Sequence, residues 1–311
     1  MRSEFIFEDA PFASAHASTI AETGASLVAA WFGGPYEGHA EVGIWLARRI
    51  EGRWSAPVSV ARGIDRLGRA QPCWNPVLHQ ARSGPLLLFY KVGPSPRRWW
   101  GMLRCSGDGG RTWSAPRRLP RGVLGPVKNK PVALPGGVIL CPSSTEHFGW
   151  RVHLERTPDL GNTWQKTGPL NAWGDLGAIQ PCILIWPDRR MQILCRTLQR
   201  VIATCWSADG GHSWSPMTAT ALPNPDSGID AAVLRDGRAV LVHNPSRAAR
   251  TPLSLAVSAD GRAWRDSAIL EDAAGEYSYP AIIQGEDGDL HVTYTWNRRR
   301  IRYVSMAPDE L

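Results

Sequence analysis

The sequence lacks the patterns that identify most metal proteins, membrane proteins and exported proteins. Its six cysteines form no CxxC pair and no Cys/His metal spacing, which favours buried, reduced thiols over a disulfide framework. No apolar run is long enough to cross a membrane, and the N-terminus has no basic region followed by an apolar stretch. These absences predict a soluble, cytoplasmic protein without metal or cofactor, or a secreted one if a leader has been removed.

The sequence also lacks long helical patterns and an obvious basic arm. Its net charge is +7 and its pI is about 9.3. Such a balance can favour nucleic acid, but the arginines are scattered along the chain rather than gathered in one helix. A cationic pocket for an acidic small substrate agrees with the charge equally well. The charge alone does not decide between the two. Without a basic helix or arm we expect no nucleic acid as the partner, and without an apolar span no membrane, while the oligomeric state stays open.

What the sequence does contain is a repeated eight-residue motif. Its pattern is Ser/Thr-x-Asp-x-Gly-x-Thr/Ser-Trp, and the tryptophans that end its copies are 59, 51, 50 and 50 residues apart. A fixed period of this size marks a repeat architecture. The full copies are residues 106–113, 157–164 and 207–214, a shortened copy is 258–264, and a worn copy without the aspartate is 51–55.

This motif, an Asp box, has the chemistry of a hairpin corner. Asp and Ser/Thr side chains bond nearby backbone N–H groups, and glycine supplies the positive φ that a tight turn needs. The tryptophan offers a large apolar face with one polar N–H, which suits a wedge between neighbouring sheets. We therefore interpret the box aspartates as structural, without a part in chemistry.

A second, quieter pattern lies upstream of each box, and it occurs six times. Each copy is a short β-rich run, a turn and a second run, followed by a strand that enters the box and one that leaves it. Four strands in each of six units predict an all-β, six-bladed β-propeller. We expect one domain over residues 1–311, with the last blade closed by strands from the two termini, the N-terminal one at 5–7.

Alternating strand directions sort the loops into two faces, and one face carries the chemistry. The Asp boxes lie at one end, while the entries to first strands and the exits from second strands share the other. Ligand sites on such scaffolds lie in loops held by rigid strands, and polar, cationic and aromatic groups converge there. The candidates are His16, Trp74, Asn75, Lys130, Gln180, Asp230 and Tyr277 at entries, and Glu37, Glu146, Arg196 and Arg250 at exits.

With Asp boxes at this spacing, six blades and arginines on the rim, the whole chain resembles the sialidase (neuraminidase) superfamily. It is most similar to the predicted-neuraminidase branch with BNR repeats. The resemblance implies three arginines that hold a substrate carboxylate, a tyrosine nucleophile assisted by a glutamate, and an aspartate as acid/base. By position, Arg196 and Arg250 resemble two of the arginines and Tyr277 resembles the nucleophile.

The sequence departs from the superfamily pattern at other positions. His16 stands where an arginine opens the first strand. Gln180 aligns with the assisting glutamate, and the acid/base position offers Glu37 or Glu41 instead of aspartate. Lys130 is an additional cation, suited to the substrate carboxylate.

The resemblance and the rim residues together predict an exo-glycosidase that acts on a terminal acidic sugar. The sugar is sialic acid or another uronic or ulosonic acid, with Tyr277 attacking the anomeric carbon and Glu37 protonating the leaving oxygen. Two alternatives remain open at this point. One is a non-catalytic carbohydrate-binding propeller, and the other is a lyase acting on a uronic acid, with His16 or Tyr277 as the base.

Overall fold

Antiparallel strands make up almost all of the regular secondary structure of the computed structural model, which describes residues 1–24 and 26–311. The helical structure of these residues is two short 3-10 turns, Pro135–Gly137 and Pro308–Glu310. The strands are β1 Arg2–Phe5, β2 Ser14–Thr23, β3 Ser26–Gly34, β4 Gly43–Ile50, β5 Arg53–Trp54, β6 Val58–Ala61, β7 Gly63–Ile64, β8 Ala70–Gln71, β9 Cys73–Gln80, β10 Leu86–Val92, β11 Trp100–Ser106, β12 Arg117–Arg118, β13 Val132–Ala133, β14 Ile139–Thr145, β15 Arg151–Thr157, β16 Gln165–Thr167, β17 Ala178–Ile185, β18 Met191–Thr197, β19 Val201–Ser207, β20 Thr218–Pro223, β21 Asp230–Val233, β22 Ala239–His243, β23 Leu253–Ser258, β24 Arg265–Glu271, β25 Tyr277–Gln284, β26 Leu290–Trp296 and β27 Arg300–Met306.

These strands form six blades in chain order, which confirms the predicted six-bladed propeller. Blade 1 has the order β2-β3-β4-β5 with β6 also on β4, and blades 2 to 5 are β9–β12, β13–β16, β17–β20 and β21–β24. Blade 6 has the order β25-β26-β27-β1, and in it Arg2 lies opposite Ser305. This last blade therefore contains strands from both ends of the chain.

Apolar side chains fill the interfaces between neighbouring blades. Over the described residues there are six hydrophobic clusters, one at each interface. Trp164 of blade 3 packs edge-on against Phe89 of blade 2, with ring centroids 6.2 Å apart. Trp113, Trp214 and Trp264 join the clusters at their own interfaces in the same way. The predicted wedge role of the box tryptophans is thus confirmed, and each large buried side chain contributes about 2 kcal/mol.

The Asp boxes are hairpin corners closed by their own side chains. Asp108 Oδ1 accepts hydrogen bonds from the backbone N–H groups of Arg111 (3.0 Å) and Thr112 (2.8 Å). Ser106 Oγ accepts one from Gly110 N at 2.8 Å. These side-chain oxygens accept hydrogen bonds from backbone N–H groups of the same turn, which agrees with the structural interpretation of the motif.

The cysteines agree with the prediction of buried, reduced thiols. All six cysteines are free thiols, and five of them are buried. Burial raises the pKa of Cys182 to about 12, which makes it an unreactive packing residue. In the part of the chain that the structure describes, no helix has the length and apolar character needed to span a membrane.

Replacing Gly161 by alanine should destabilise the propeller. Gly161 has φ 88°, and a Cβ there would lie 2.7 Å from Leu103 Cδ2 of the neighbouring blade. Strained backbone and overpacking together should lower the free energy of unfolding in urea by about 1–3 kcal/mol. Gly107→Ala is the matched control, because no heavy atom lies within 4 Å of the place that a Cβ would take at Gly107. It should change stability by less than about 0.5 kcal/mol, and equal effects of the two variants would contradict the argument.

Candidate functional site

The inner strands of four blades are interrupted by a residue with left-handed backbone angles. These residues are Ala17 (φ 56°), Asn75 (φ 41°), Gln180 (φ 54°) and Tyr279 (φ 53°). At each of them the pairing with the second strand of the blade shifts register. A non-glycine residue in this region costs about 1–3 kcal/mol, and such strain is typical of functional sites. The bulges turn their side chains out of the regular strand alternation.

Tyr279 lies at the centre of the group that these bulges assemble. The guanidinium carbons of Arg196 and Arg250 are 5.5 Å and 5.6 Å from the centroid of its ring. The imidazole of His16 packs on the same ring with centroids 4.3 Å apart. Gln180 Nε2 lies 3.5 Å from the Tyr279 hydroxyl oxygen. The phenol therefore has two cations, an imidazole and an amide around it, and we call this place the axial pocket.

Arg196 and Arg250 are held in place by shared backbone and aromatic contacts. Arg196 Nη1 donates to the backbone carbonyl of Asp226 at 3.0 Å, and its guanidinium lies 5.0 Å from the ring of Trp150. Arg250 Nη2 approaches the same Asp226 carbonyl at 3.5 Å, and its Nη1 pairs with Glu276 Oε1 at 2.9 Å. One carbonyl thus brings the two arginines, which come from different blades, to one side of Tyr279.

Arg298 is a third arginine of this group, and it lies at the exit from the second strand of blade 6. Its Nε donates to both carboxylate oxygens of Glu276 at 2.9 and 3.0 Å, and its Nη1 pairs with Glu37. Burial alone would raise the pKa of Glu276, but Arg298 and Arg250 outweigh it and lower that pKa. Glu276 is therefore an ionised support that holds two of the three arginines.

His16 is a neutral base in a cationic environment. It is 1% exposed, and burial lowers its pKa well below the ordinary value of 6.5. The nearby charges of Arg298, Arg250, Arg196 and Lys128 lower the pKa further. Its Nδ1 is buried without a hydrogen-bond partner among the described residues. The imidazole is therefore held uncharged as a weak base, and it cannot hold a carboxylate as the arginine that the resemblance implies would.

Gln180 presents an amide to Tyr279 where the resemblance implies a carboxylate. Its side chain is 2% exposed, and its Oε1 has no partner among the described residues. Its backbone is fixed on both sides, because its N–H donates to Ser144 Oγ at 3.1 Å and its carbonyl accepts from Asn129 Nδ2 at 2.9 Å. An amide can orient the phenol but cannot take its proton. The predicted catalytic role of Gln180 is therefore limited to positioning.

Lys128 lies buried below the pocket and binds groups from three blades. Its Nζ donates to Asn129 Oδ1 at 2.9 Å, to the carbonyl of Ile229 at 2.6 Å and to the carbonyl of Pro280. Burial lowers its pKa to about 7, although the carboxylate of Asp230 opposes the shift. The ammonium thus connects blades 3, 5 and 6 next to Tyr279.

Lys130 and Asp230 form an ion pair between blades. Lys130 Nζ lies 2.8 Å from Asp230 Oδ2 and donates to the carbonyl of Ala231 at 2.9 Å. The same Asp230 oxygen accepts the backbone N–H of Ile282 at 2.9 Å. These bonds join blades 3, 5 and 6, so the two residues have a structural role, and their binding of substrate stays a prediction.

Two other acidic side chains near Arg196 have raised pKa values. Burial raises the pKa of Glu146 against the opposing charge of Arg196, and Asp226 adds to the rise. Burial likewise raises the pKa of Asp226 against Arg196 and Arg250. A carboxyl shifted in this direction is a better proton donor near neutral pH. Glu37, the donor predicted from sequence, instead pairs with Arg298.

Trp74 packs in the interior, while Asn75 lies at one of the inner-strand bulges. Trp74 is 6% exposed, its Nε1 donates to the carbonyl of Gly93 at 2.8 Å, and its ring packs against Phe32 and Trp99. It has no free face for a sugar ring, which corrects the prediction. Asn75 carries one of the four inner-strand bulges, so its binding role stays a prediction.

Tyr277 belongs to the core between blades 5 and 6, which corrects the predicted nucleophile. It packs in the cluster with Trp296, their rings 6.4 Å apart. Burial raises the pKa of its hydroxyl, with Glu271 adding to the effect. Regular alternation would put Tyr277 and Tyr279 on one side of β25, but the bulge between Ser278 and Ala281 separates them.

A sequence signal for Tyr279 existed in the residue that follows it. Proline follows the bulged residue in three inner strands, as Asn75-Pro76, Gln180-Pro181 and Tyr279-Pro280. Aligning the units on that proline places Tyr279, and not Tyr277, level with Gln180. Arg298 carries the same signal as Arg196 and Arg250, because it follows β26, the second strand of its unit. In the described part of the chain, no three His, Cys, Asp or Glu side chains are grouped as metal ligands.

The chain matches one known protein family over most of its length. The model of the BNR repeat-like domain matches residues 25–292. No curated protein matches the sequence.

Solved structures share the fold at low sequence identity. One is a Dyadobacter fermentans protein of unknown function, with 16% identity, coverage of 97% of each chain and a TM-score of 0.81. Another is the NanB sialidase of Streptococcus pneumoniae, with 12% identity, coverage of 99% of this chain and 71% of that one, and a TM-score of 0.82. A third is the intramolecular trans-sialidase of Ruminococcus gnavus, with 14% identity, coverage of 96% and 95%, and a TM-score of 0.79. Identities this low show a common fold and transfer no residue's role.

Replacing Lys128 by methionine should flatten the dependence of stability on pH. The pKa of Lys128 is about 7 in the folded protein and near 10.5 when unfolded, so between these values the unfolded state binds more protons. The free energy of unfolding of the wild type therefore rises with pH across this window, by at most about 1.4 kcal/mol per pH unit from this residue. Lys128→Met should lose this residue's share of the rise in urea unfolding series from about pH 7 to about pH 10, while buried Lys91, whose pKa burial also lowers to about 7, should keep its own share. Lys166→Met, at an exposed lysine, should keep the wild-type slope, and an unchanged slope in both variants would refute the assignment.

Proposed function

The chain belongs to the BNR repeat-like domain family, and we propose that its axial pocket binds the carboxylate of a terminal acidic sugar and hydrolyses the adjoining glycosidic bond. The sugar is sialic acid or another ulosonic or uronic acid. The sialidase and the trans-sialidase that share the fold support this substrate class. The residues of the pocket support it independently.

A carboxylate fits the charge and the geometry of the three arginines. Arg196 and Arg250 share the carbonyl of Asp226, while Arg250 and Arg298 share Glu276. The guanidinium groups are thus linked into one array, and the N–H groups not used in these contacts remain for a ligand. Guanidinium forks bind carboxylates with two parallel hydrogen bonds. An acidic sugar would therefore be oriented by its carboxylate.

The position of Tyr279 among two arginines and His16 is the observation that carries the proposal. A neutral phenol can attack beside an anionic substrate without the repulsion that a carboxylate nucleophile would meet, and tyrosine is a recognised nucleophile in glycoside hydrolysis. The Tyr279 oxygen bonds to the anomeric carbon while its proton passes to His16. Glu146 or Asp226 gives a proton to the leaving oxygen, and water then releases the sugar from the tyrosine.

The comparison of two tyrosines tests this assignment. Tyr279→Phe should reduce turnover of aryl glycosides of sialic and uronic acids by a factor of about 100 or more, because the nucleophile is lost. Tyr277→Phe is the matched control, two residues away in the same strand, and should change turnover little. Turnover that survives in Tyr279→Phe would refute the nucleophile.

The binding of sugar separates an enzyme from a binding module. If the wild type turns over no acidic glycoside but binds acidic sugars, and Arg250→Gln abolishes that binding, the pocket serves a non-catalytic carbohydrate-binding propeller. Calorimetric titration of the free sugars into both proteins measures this directly.

A lyase acting on a uronic acid is the second candidate, and Gln180 is the observation that favours it. The phenol of Tyr279 has an amide and a neutral imidazole beside it, and no carboxylate bonds to its hydroxyl among the described contacts. His16 could take the proton next to the sugar carboxylate while the arginines stabilise the charge that forms. The bond to the leaving oxygen breaks as a carbon–carbon double bond forms, and Tyr279 protonates that oxygen.

Water labelled with a heavy oxygen isotope distinguishes hydrolysis from elimination. Hydrolysis should place one solvent oxygen in the sugar product, as measured by mass spectrometry, because water completes the reaction. Elimination should add no solvent oxygen and should give an unsaturated product that absorbs ultraviolet light. His16→Gln should reduce either reaction by a factor of about 100 or more, and an unimpaired variant would remove His16 from both mechanisms.

A further inference from the structure

Positive charge is concentrated in one sector of the propeller, blade 2 and the first half of blade 3. Residues 66–145 contain 13 of the 35 lysines and arginines but only one, Asp108, of the 28 aspartates and glutamates. The arginines themselves are spread along the chain, and the positive charge of this sector arises because its 80 residues, which fold into neighbouring blades, contain almost no acidic side chains. The rest of the chain carries an excess of acidic residues.

A cleft opens within this basic sector on the same face as the axial pocket. It has a volume of about 320 Å³ and lies between blades 2 and 3. Its walls are the exit from β10 at Trp99 and Trp100, the loop after β12 at 119–124, and the exit from β14 at Thr145 and His147. We call it the inter-blade cleft.

Cations line the inter-blade cleft without a compensating acid. Arg118, Arg121 and Lys166 belong to its lining, and no aspartate or glutamate does. Arg118 lies over the ring of Trp100, with its guanidinium carbon 4.5 Å from the centroid. The three side chains are exposed, and cations gathered around a concave surface attract an anion more strongly than cations dispersed on a convex one. The half-buried indoles supply apolar faces of the kind that pack against sugar rings.

The wall of the cleft is fixed before any ligand binds. Leu119 N donates to the carbonyl of Gly101 at 2.9 Å, and the N–H groups of Leu124 and Gly125 donate to buried Glu155 at 3.1 and 2.6 Å. The loop also packs closely on β11, since a Cβ at Gly101 would lie 2.7 Å from the Leu124 carbonyl oxygen. A preformed wall reduces the entropy that binding must remove.

The inter-blade cleft and the axial pocket share one short segment. Thr145 and His147 line the cleft, and Glu146 between them is close enough to Arg196 for that charge to oppose the rise in its pKa. A chain of sugars that enters the axial pocket at Arg196 can therefore continue across this segment.

We propose that the inter-blade cleft is a second anion subsite, which binds a carboxylate or sulfate on another sugar of the same glycan. The inference rests on the proposed function for its substrate class and makes the substrate a polyanionic glycan. Continuity with the axial pocket and the indole faces favour a glycan over a nucleic acid.

Binding of short acidic oligosaccharides tests the subsite. The probes are tetrasaccharides of sialic acid and of galacturonic acid labelled with fluorescein, together with the two free monosaccharides and a single-stranded RNA dodecamer. The cleft variant Arg118→Gln/Arg121→Gln/Lys166→Gln should bind the preferred tetrasaccharide about tenfold more weakly, as expected for losing three partly exposed ion pairs. Its affinity for the monosaccharide should equal that of the wild type. The control variant Arg53→Gln/Arg189→Gln/Arg265→Gln removes three exposed arginines of other blades and should bind every probe as the wild type does.

Other outcomes would overturn the subsite. Equal weakening of binding in the two triple variants would show that net charge alone is responsible. If the wild type binds neither tetrasaccharide, acidic glycans are rejected as the ligands of the cleft. Tighter binding of the RNA, lost in the cleft variant, would make the cleft a nucleic-acid site. Arg250→Gln tests the axial pocket separately. If it leaves tetrasaccharide binding intact while the cleft variant does not, the proposed function fails and the subsite remains, and the opposite result rejects the subsite alone.

Discussion

A buried ammonium group at the propeller axis is the contact on which the pocket depends. Lys128 Nζ donates to carbonyl groups of blades 5 and 6, at Ile229 and Pro280, and to its neighbour Asn129. Asn129 in turn donates to the carbonyl of Gln180 in blade 4. The Pro280 carbonyl directly follows Tyr279, so the ammonium fixes the peptide group beside the strained residue that carries the phenol. One Lys–Asn pair therefore holds three blades in the register that assembles the site.

The second constraint is that three guanidinium groups must lie close together without an excess of buried positive charge. Glu276 between Arg250 and Arg298 meets this requirement, and the Asp226 carbonyl does so for Arg196 and Arg250. Burying an unpaired charge costs several kcal/mol, and each of the three arginines has at least two oxygen acceptors that fix its position. The same environment keeps His16 neutral, because another positive charge there would face all its neighbours. The result is a cationic site that also contains an uncharged base.

The residues around Tyr279 differ from those that the sialidase resemblance implies. The strands place a tyrosine among arginines, but Gln180 contributes an amide where a carboxylate would assist the phenol. The imidazole of His16 is the group in ring contact that can accept a proton. Fold alone therefore does not decide the reaction, and the proton acceptor beside the tyrosine does.

The sequence by itself determined the architecture, since five Asp boxes at a spacing near 50 residues and alternating β runs are local patterns repeated along the chain. BNR-repeat membership and the six blades are confirmed. Arg196 and Arg250 were found because each follows the second strand of its unit. Only the tertiary structure decided between Tyr277 and Tyr279, because a bulge in β25 reverses the alternation that sequence periodicity assumes. It also brought Arg298, Glu276 and Lys128 to the axis and gathered the basic blades around one cleft. These arrangements depend on contacts between blades, and residues far apart in sequence meet there without a local signal.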